Sequence, residues 1–222
     1  MFVIPCKYRN DSFIFDCVRS IRQFHPNEDV VVVDSSSDDI SYLEMLRSDF
    51  GVVALDSHNR NYEFGALRIA YNFNPNDERY VLVHDSTILK DSIDPFLNLN
   101  ACALMYFPES VPLGCREHRF ISGVLEKTQY NFDDLSYLGV FGSMAVYSRE
   151  IMKTFESKGL FREFSPIDKF ESQMSERIVG ICLKQEGINL ADQSIEGNFL
   201  SRVHEVETNG LKYFRKKFLR RG

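Results

Sequence analysis

Nothing in this 222-residue chain approaches the roughly 20 consecutive apolar residues that a membrane-spanning helix requires. The N-terminus also has no basic segment leading into an apolar one, and Met1 runs directly into a strand-like Phe2-Val3-Ile4-Pro5, so the sequence reads as a cytoplasmic chain. Cysteine is sparse: Cys6, Cys17, Cys102, Cys115 and Cys182 are odd in number, widely spaced and never arranged as C-x-x-C. That spacing predicts reduced thiols and argues against a disulfide framework or a zinc knuckle. Tryptophan is absent, and 19 phenylalanines and 10 tyrosines carry the aromatic content. Several enzyme fingerprints are missing too. No G-x-G-x-x-G follows the first strand and no G-x-x-x-x-G-K-[ST] occurs, which disfavours dinucleotide and P-loop chemistry. H-E-x-x-H and G-x-S-x-G do not appear either.

What is present is an ordinary globular composition, 44% hydrophobic and 26% charged, with the charge unevenly placed. Net charge is −6, yet Leu211 to Gly222 hold six basic groups and no acid, which leaves a body of 20 basic against 32 acidic groups. So acidic a body argues against a nucleic-acid-binding surface over most of the molecule. In the tail, Leu211, Phe214 and Phe218 are spaced to share one helical face among lysines and arginines. Such a segment suits peripheral contact with an anionic membrane or a phosphate-bearing acceptor.

Apolar periodicity divides the first 85 or so residues into alternating strands and helices. Strands are expected at Phe2–Pro5, Val30–Val33, Val52–Leu55 and Tyr80–Val83. Between them, Ile14, Cys17, Val18 and Ile21 form one helical stripe, Leu43, Leu46 and Phe50 a second, and Phe64, Leu67 and Tyr71 a third. Ser41 with Glu44 reads as a capping box. The repeated βα unit predicts an α/β fold with a mostly parallel sheet and right-handed crossovers. The second half is less regular. A strand is expected over Ala101–Phe107, a loop or edge at Val111–Gly114, and a strand broken by small residues over Tyr137–Tyr147. Ser148 then begins a helix. Pro166, with Ser165 and Asp168 as a capping box, begins another, whose buried stripe is Met174, Ile178, Ile181 and Cys182.

Three of the N-terminal strands end on acids: Asp34, Asp56 and Asp85. Strand-end carboxylates on one edge of an open α/β sheet converge on its default ligand crevice. The run Tyr80–Val83 stops on His84-Asp85-Ser86-Thr87, a set of hard oxygens and an imidazole that suits a divalent ion or sugar hydroxyls. A cap on the following turn would account for Asp85 and Ser86 equally well.

The order strand-Pro5, helix, strand-Asp34, strand-Asp56, Asn59-Arg60-Asn61, Gly65 to Ala70 and strand-Asp85 resembles the nucleotide-sugar half of glycosyltransferases of the GT-A fold. The resemblance implies that Pro5, Cys6, Tyr8 and Asp34 hold the nucleoside, and that Asn61, Gly65 and Arg68 lie beside the nucleotide and sugar. It also puts His84 and Asp85 at a D-x-D motif that holds the diphosphate and Mn²⁺ or Mg²⁺. Here the motif is degenerate, with Thr87 where the second carboxylate would stand. A late histidine often returns to the metal in this family, and His204 matches that place. The family also sets an acidic pair with an arginine on a late helix, which Glu171 and Arg177 resemble. An acceptor hydroxyl needs a carboxylate base. Glu171, sharing the apolar stripe, ranks ahead of Glu176, which reads as facing solvent, and Asp168 reads as a cap. One domain is implied: residues 1–100 bind the nucleotide sugar, 101–210 the acceptor, and 211–222 form the basic tail. The implied activity is hexosyl transfer from a UDP-sugar to a glycan or glycolipid. A sugar-1-phosphate nucleotidyltransferase and a non-catalytic binding module are the alternatives.

Overall fold

The computed structural model describes residues 1–9, 11–57, 62–108, 114–132 and 137–216. Four strands, β1 (Phe2–Cys6), β2 (Val30–Asp34), β3 (Val53–Asp56) and β4 (Arg79–Leu82), alternate with helices α1 (Phe13–Phe24), α2 (Ser41–Phe50) and α3 (Tyr62–Phe73). They build a six-stranded sheet in the order β3-β2-β1-β4-β9-β6, with β1 to β4 parallel. The two strands added from the second half are β6 (Ala101–Ala103) and β9 (Ala145–Ser148), and β9 runs antiparallel to both its neighbours.

β1 explains the layering. Phe2 and Ile4 point into a core shared with Ile14, Val18 and Ile21 of α1 and Leu43 and Leu46 of α2. Val3 points into the opposite core, with Phe64 and Leu67 of α3 and with Ile178 and Val179 of α7 (Lys169–Gln185). A strand apolar on both faces must be covered on both, which is why β1, β2 and β4 read as continuous apolar runs. Helices α4 (Cys115–Leu125), α5 (Arg149–Ser157) and the short α6 (Leu160–Glu163) complete the second layer.

Several local expectations are corrected. The expected strand Ala101–Phe107 breaks at Leu104-Met105, and its second part becomes β7 (Tyr106–Pro108), paired with β8 (Leu138–Val140). Ser41 does not cap α2; it is the first helical residue, and its N–H donates to Asp39 Oδ1 at 2.8 Å. On α7 the capping box is Asp168 with Glu171, not Ser165 with Asp168. Asp168 accepts from the Glu171 N–H at 2.8 Å, and Glu171 Oε2 accepts from the Ile167 N–H at 2.9 Å.

The largest correction is the tail. Leu211 and Phe214 are 1% and 2% exposed, packed in the core with α1, and so form no amphipathic helical face. Phe214–Lys216 is a strand, β10, antiparallel to β5 (Thr87–Leu89). β5 lies outside the main sheet, and its backbone donors and acceptors need a partner, which the tail provides. Phe218 and the other residues from 217 to 222 lie outside the described residues, as do Asn59 to Asn61 and Val111 to Leu113. Among the described residues no helix is long and apolar enough to cross a membrane.

Candidate active site

The chain runs outward from β1 through β2 to β3, then returns to place β4 on β1's other side. Ligands of open α/β sheets bind at such a reversal, outside the carboxyl ends of the strands. A cleft of about 510 Å³ lies there. The end of β1 contributes Pro5, Cys6, Lys7 and Arg9, and the end of β2 contributes Ser35. The turn after β4 contributes His84 and Asp85, and the first turns of α3 and α7 contribute Tyr62, Glu63 and Lys169.

Glu63 and His84 organise one wall. Glu63 Oε1 lies 3.3 Å from His84 Nε2, and its Oε2 accepts from the Ser172 hydroxyl at 2.7 Å. Burial works to raise the Glu63 carboxyl, but the hydrogen bond and charge of His84, with Ser172, outweigh it and hold the group at about 2. His84 Nε2 also lies 3.1 Å from Gly142 O, and Nδ1 meets the Lys216 amine. Gly142 has φ +62°, and a Cβ there would lie 2.5 Å from His84 Cε1. Only glycine fits both the left-handed backbone and the ring. Three non-glycine residues with positive φ are in or next in sequence to these groups: Ser36 follows the cleft-lining Ser35, Tyr62 itself lines the cleft, and Ser143 follows Gly142. Strained backbone of this kind clusters at functional sites.

Asp85 is half-buried on the floor. Burial pushes its carboxyl up; Lys216 and His84 draw it down, and Asp11 raises it. Lys216 itself is half-buried along its length. Burial of its amine lowers it to about 8 against the pull of Asp85 and Glu63. Behind the Gly142 turn, Glu176 Oε1 accepts from the Gly142 N–H at 3.0 Å. Burial raises Glu176 to about 7; Glu63 adds to the rise, and the Gly142 N–H, Arg177 and Lys169 oppose it.

Pro5, Cys6, His84 and Asp85 therefore come together in the cleft. Asp34 does not line it. Its carboxylate is 0% exposed and accepts from the Tyr42 hydroxyl at 2.7 Å and the Ser37 N–H at 3.0 Å. Tyr8 stacks on the same Tyr42, with ring centroids 4.5 Å apart. Gly65 is buried in α3, and Arg68 donates to Phe161 O at 3.0 Å. Asn61 lies outside the described residues. The expected exposures of the two α7 acids are reversed: Glu171 spends its carboxylate on the helix cap, and Glu176 is the one turned inward. His204 is exposed on α8 (Val203–Thr208).

The donor set does not fit a divalent ion. Such ions take several hard oxygens, whereas Asp85 is the single carboxylate of this turn. Thr87 is 1% exposed with its hydroxyl on Met144 Sδ at 3.6 Å, and both ring nitrogens of His84 face other groups. Among the described residues no three His, Cys, Asp or Glu side chains are grouped to hold a metal.

Glu63, Lys169, Lys7 and Arg9 line the cleft and Lys216 meets His84 beside it, and the sequence reading named none of them as site residues. Lys7 and Arg9 directly follow a strand end, a signal available in the sequence. Glu63 and Lys169 enter from helix starts, and Lys216 from a distant pairing.

No family model matches the sequence, and no curated protein matches it. Among solved structures, that of GalNAc-T7 with UDP, GalNAc and Mn²⁺ matches 80% of this chain at a TM-score of 0.51 and 13% identity. The fold is GT-A-like. S. aureus TarS is also similar, over 82% of this chain at a TM-score of 0.48 and 12% identity. Glucosyl-3-phosphoglycerate synthase from Mycobacterium tuberculosis matches 85% of this chain and 80% of its own, at a TM-score of 0.42 and 15% identity. The GT-A-like chain spans 33% of the TarS chain and 40% of the GalNAc-T7 chain.

Proposed function

We propose that this chain is a glycosyltransferase that moves a hexose from a nucleoside diphosphate, with UDP the first choice, to a hydroxyl of a glycan or glycolipid. The observation that carries this reading is the charge layout of the cleft at the β1/β4 reversal. Lys7, Arg9 and Lys169 line it together with the acids Glu63 and Asp85. Cations suit a diphosphate leaving group, and carboxylates suit sugar hydroxyls. The nucleoside would lie along the ends of β1 and β2, against Pro5, Cys6 and Ser35. Asp34 would support that surface from below through Tyr42 and Ser37. Glu63, held ionised, would orient the sugar together with His84. Glu176 of α7 would be the base, since it lies against Gly142, whose carbonyl faces His84, and burial raises it to about 7.

Calorimetric titration with UDP, followed by assay of UDP release from a panel of UDP-sugars, tests this. Binding with sugar-dependent release is the expected result. No heat with UDP or any other nucleoside diphosphate would overturn it. The second reading, a non-catalytic binding module, is favoured by the buried, sulfur-bonded Thr87 in place of a second acid. Binding without release under any acceptor would select it.

A further inference from the structure

The last described strand alters the charge of the cleft floor. Lys216 of β10 stands opposite Thr87, two residues beyond Asp85. The strand is firmly held. The Lys90 N–H donates to Tyr213 O at 2.8 Å, the Tyr213 N–H donates to buried Glu196 at 2.5 Å, and Arg202 binds Glu196 at 2.7 Å. Phe214 is sunk in the core. A lysine on an anchored strand thus brings its amine onto His84 Nδ1 and within the electrostatic reach of Asp85 and Glu63.

An uncompensated Asp85 on the floor would repel a diphosphate. A divalent ion beside it would need further oxygens, which Thr87 and His84 do not offer, and would also meet the ammonium already there. We propose that Lys216 supplies the countercharge for Asp85 in place of a divalent ion, so that this chain binds a diphosphate without metal. The inference rests on the nucleotide-donor reading above. With Asp85 balanced from behind, the positive charge of Lys7, Arg9 and Lys169 dominates the cleft and carries the attraction.

The test is titration of the full chain with UDP and, in parallel, with inorganic pyrophosphate, each in excess chelator and in Mn²⁺. Wild-type affinity should agree within about twofold between the two conditions. Lys216→Met should weaken both ligands about tenfold or more in chelator, and Lys216→Arg should recover most of that loss. Binding by the wild type only when Mn²⁺ is present would overturn the inference and leave the donor reading standing. So would Lys216→Met binding as tightly as wild type in chelator. No binding of UDP in either condition would overturn the donor reading and this inference with it. Should Lys216→Met fail to fold, the wild-type comparison and Lys216→Arg decide alone.

Discussion

Glu63 and His84 meet at 3.3 Å and tie the first turn of α3 to the turn that follows the next element, β4. The pair is secured at both ends, by Ser172 on the acid and Gly142 on the ring. Glu63→Gln should therefore lower stability near neutral pH by about 1–3 kcal/mol, the usual cost of leaving a partly buried polar group without its charged partner. The pH dependence has a definite sign. The folded Glu63 carboxyl sits at about 2, below its ordinary 4.5, so its contribution is present above 4.5 and is lost as pH falls toward 2. Chemical denaturation at neutral and acidic pH measures this. A variant as acid-sensitive as wild type would remove Glu63 from that role.

Gly142→Ala offers a second check on the same wall. The added Cβ falls within 2.6 Å of His84 Nε2, at a φ of +62° that alanine resists. A loss of about 1–3 kcal/mol in thermal or denaturant unfolding is expected, with weaker UDP binding as the ring is displaced. An alanine variant with unchanged unfolding and affinity would show that the turn can relax.

For the tail, the outcome expected of a detachable amphipathic segment is reversed. Because Phe214 is 2% exposed in the α1 core, Phe214→Ala should cost about 3–5 kcal/mol. Deleting residues 211–222 should cost more, since it removes Leu211 as well and leaves the β5 edge unpaired. Thermal unfolding of the two variants decides it. Wild-type stability after the deletion would mean that β10 is not part of the fold.

The βα units were legible because their causes are local. Four apolar runs and three amphipathic stripes each fit one period, and the strand ends at Pro5, Cys6, His84 and Asp85 follow from where the runs stop. Asp34 shows the limit of that logic. A strand-end acid is visible in sequence, but its capture by Tyr42, eight residues on, depends on how α2 docks. The sequence sets Lys216 among the basic groups around a helical face of Leu211, Phe214 and Phe218, because its pairing with the strand after Asp85 spans more than a hundred residues and leaves no local trace. Which α7 acid turns inward is not legible in the sequence, because that helix is buried on several sides through Ser172, Met174, Ser175 and Ile178 to Leu183 and no single stripe marks the inward face.

The different settings of the two acids lead to the last prediction. A base for sugar transfer must lose its proton near working pH and must be dispensable for donor binding. Glu171 is committed to the Ile167 N–H at the helix start, whereas Glu176 lies against Gly142, the residue whose carbonyl faces His84. Burial holds Glu176 at about 7, above its ordinary 4.5, so the folded protein keeps that proton where the unfolded chain has lost it. Its contribution to stability is thus complete below 4.5 and is lost as pH rises to about 7. Glu176→Gln should flatten that slope in denaturation experiments whether or not the chain is an enzyme. If Glu176 is the base, the rate of transfer should rise with pH through about 7. Glu176→Gln should then cut transfer by about 10²–10⁴ with UDP affinity within about twofold. Glu171→Gln should cost at most about 1 kcal/mol of stability through the lost cap and leave the rate nearly intact. A large rate loss in Glu171→Gln with none in Glu176→Gln would restore the order read from the sequence. A flattened stability slope without any rate loss would leave Glu176 a buried structural acid.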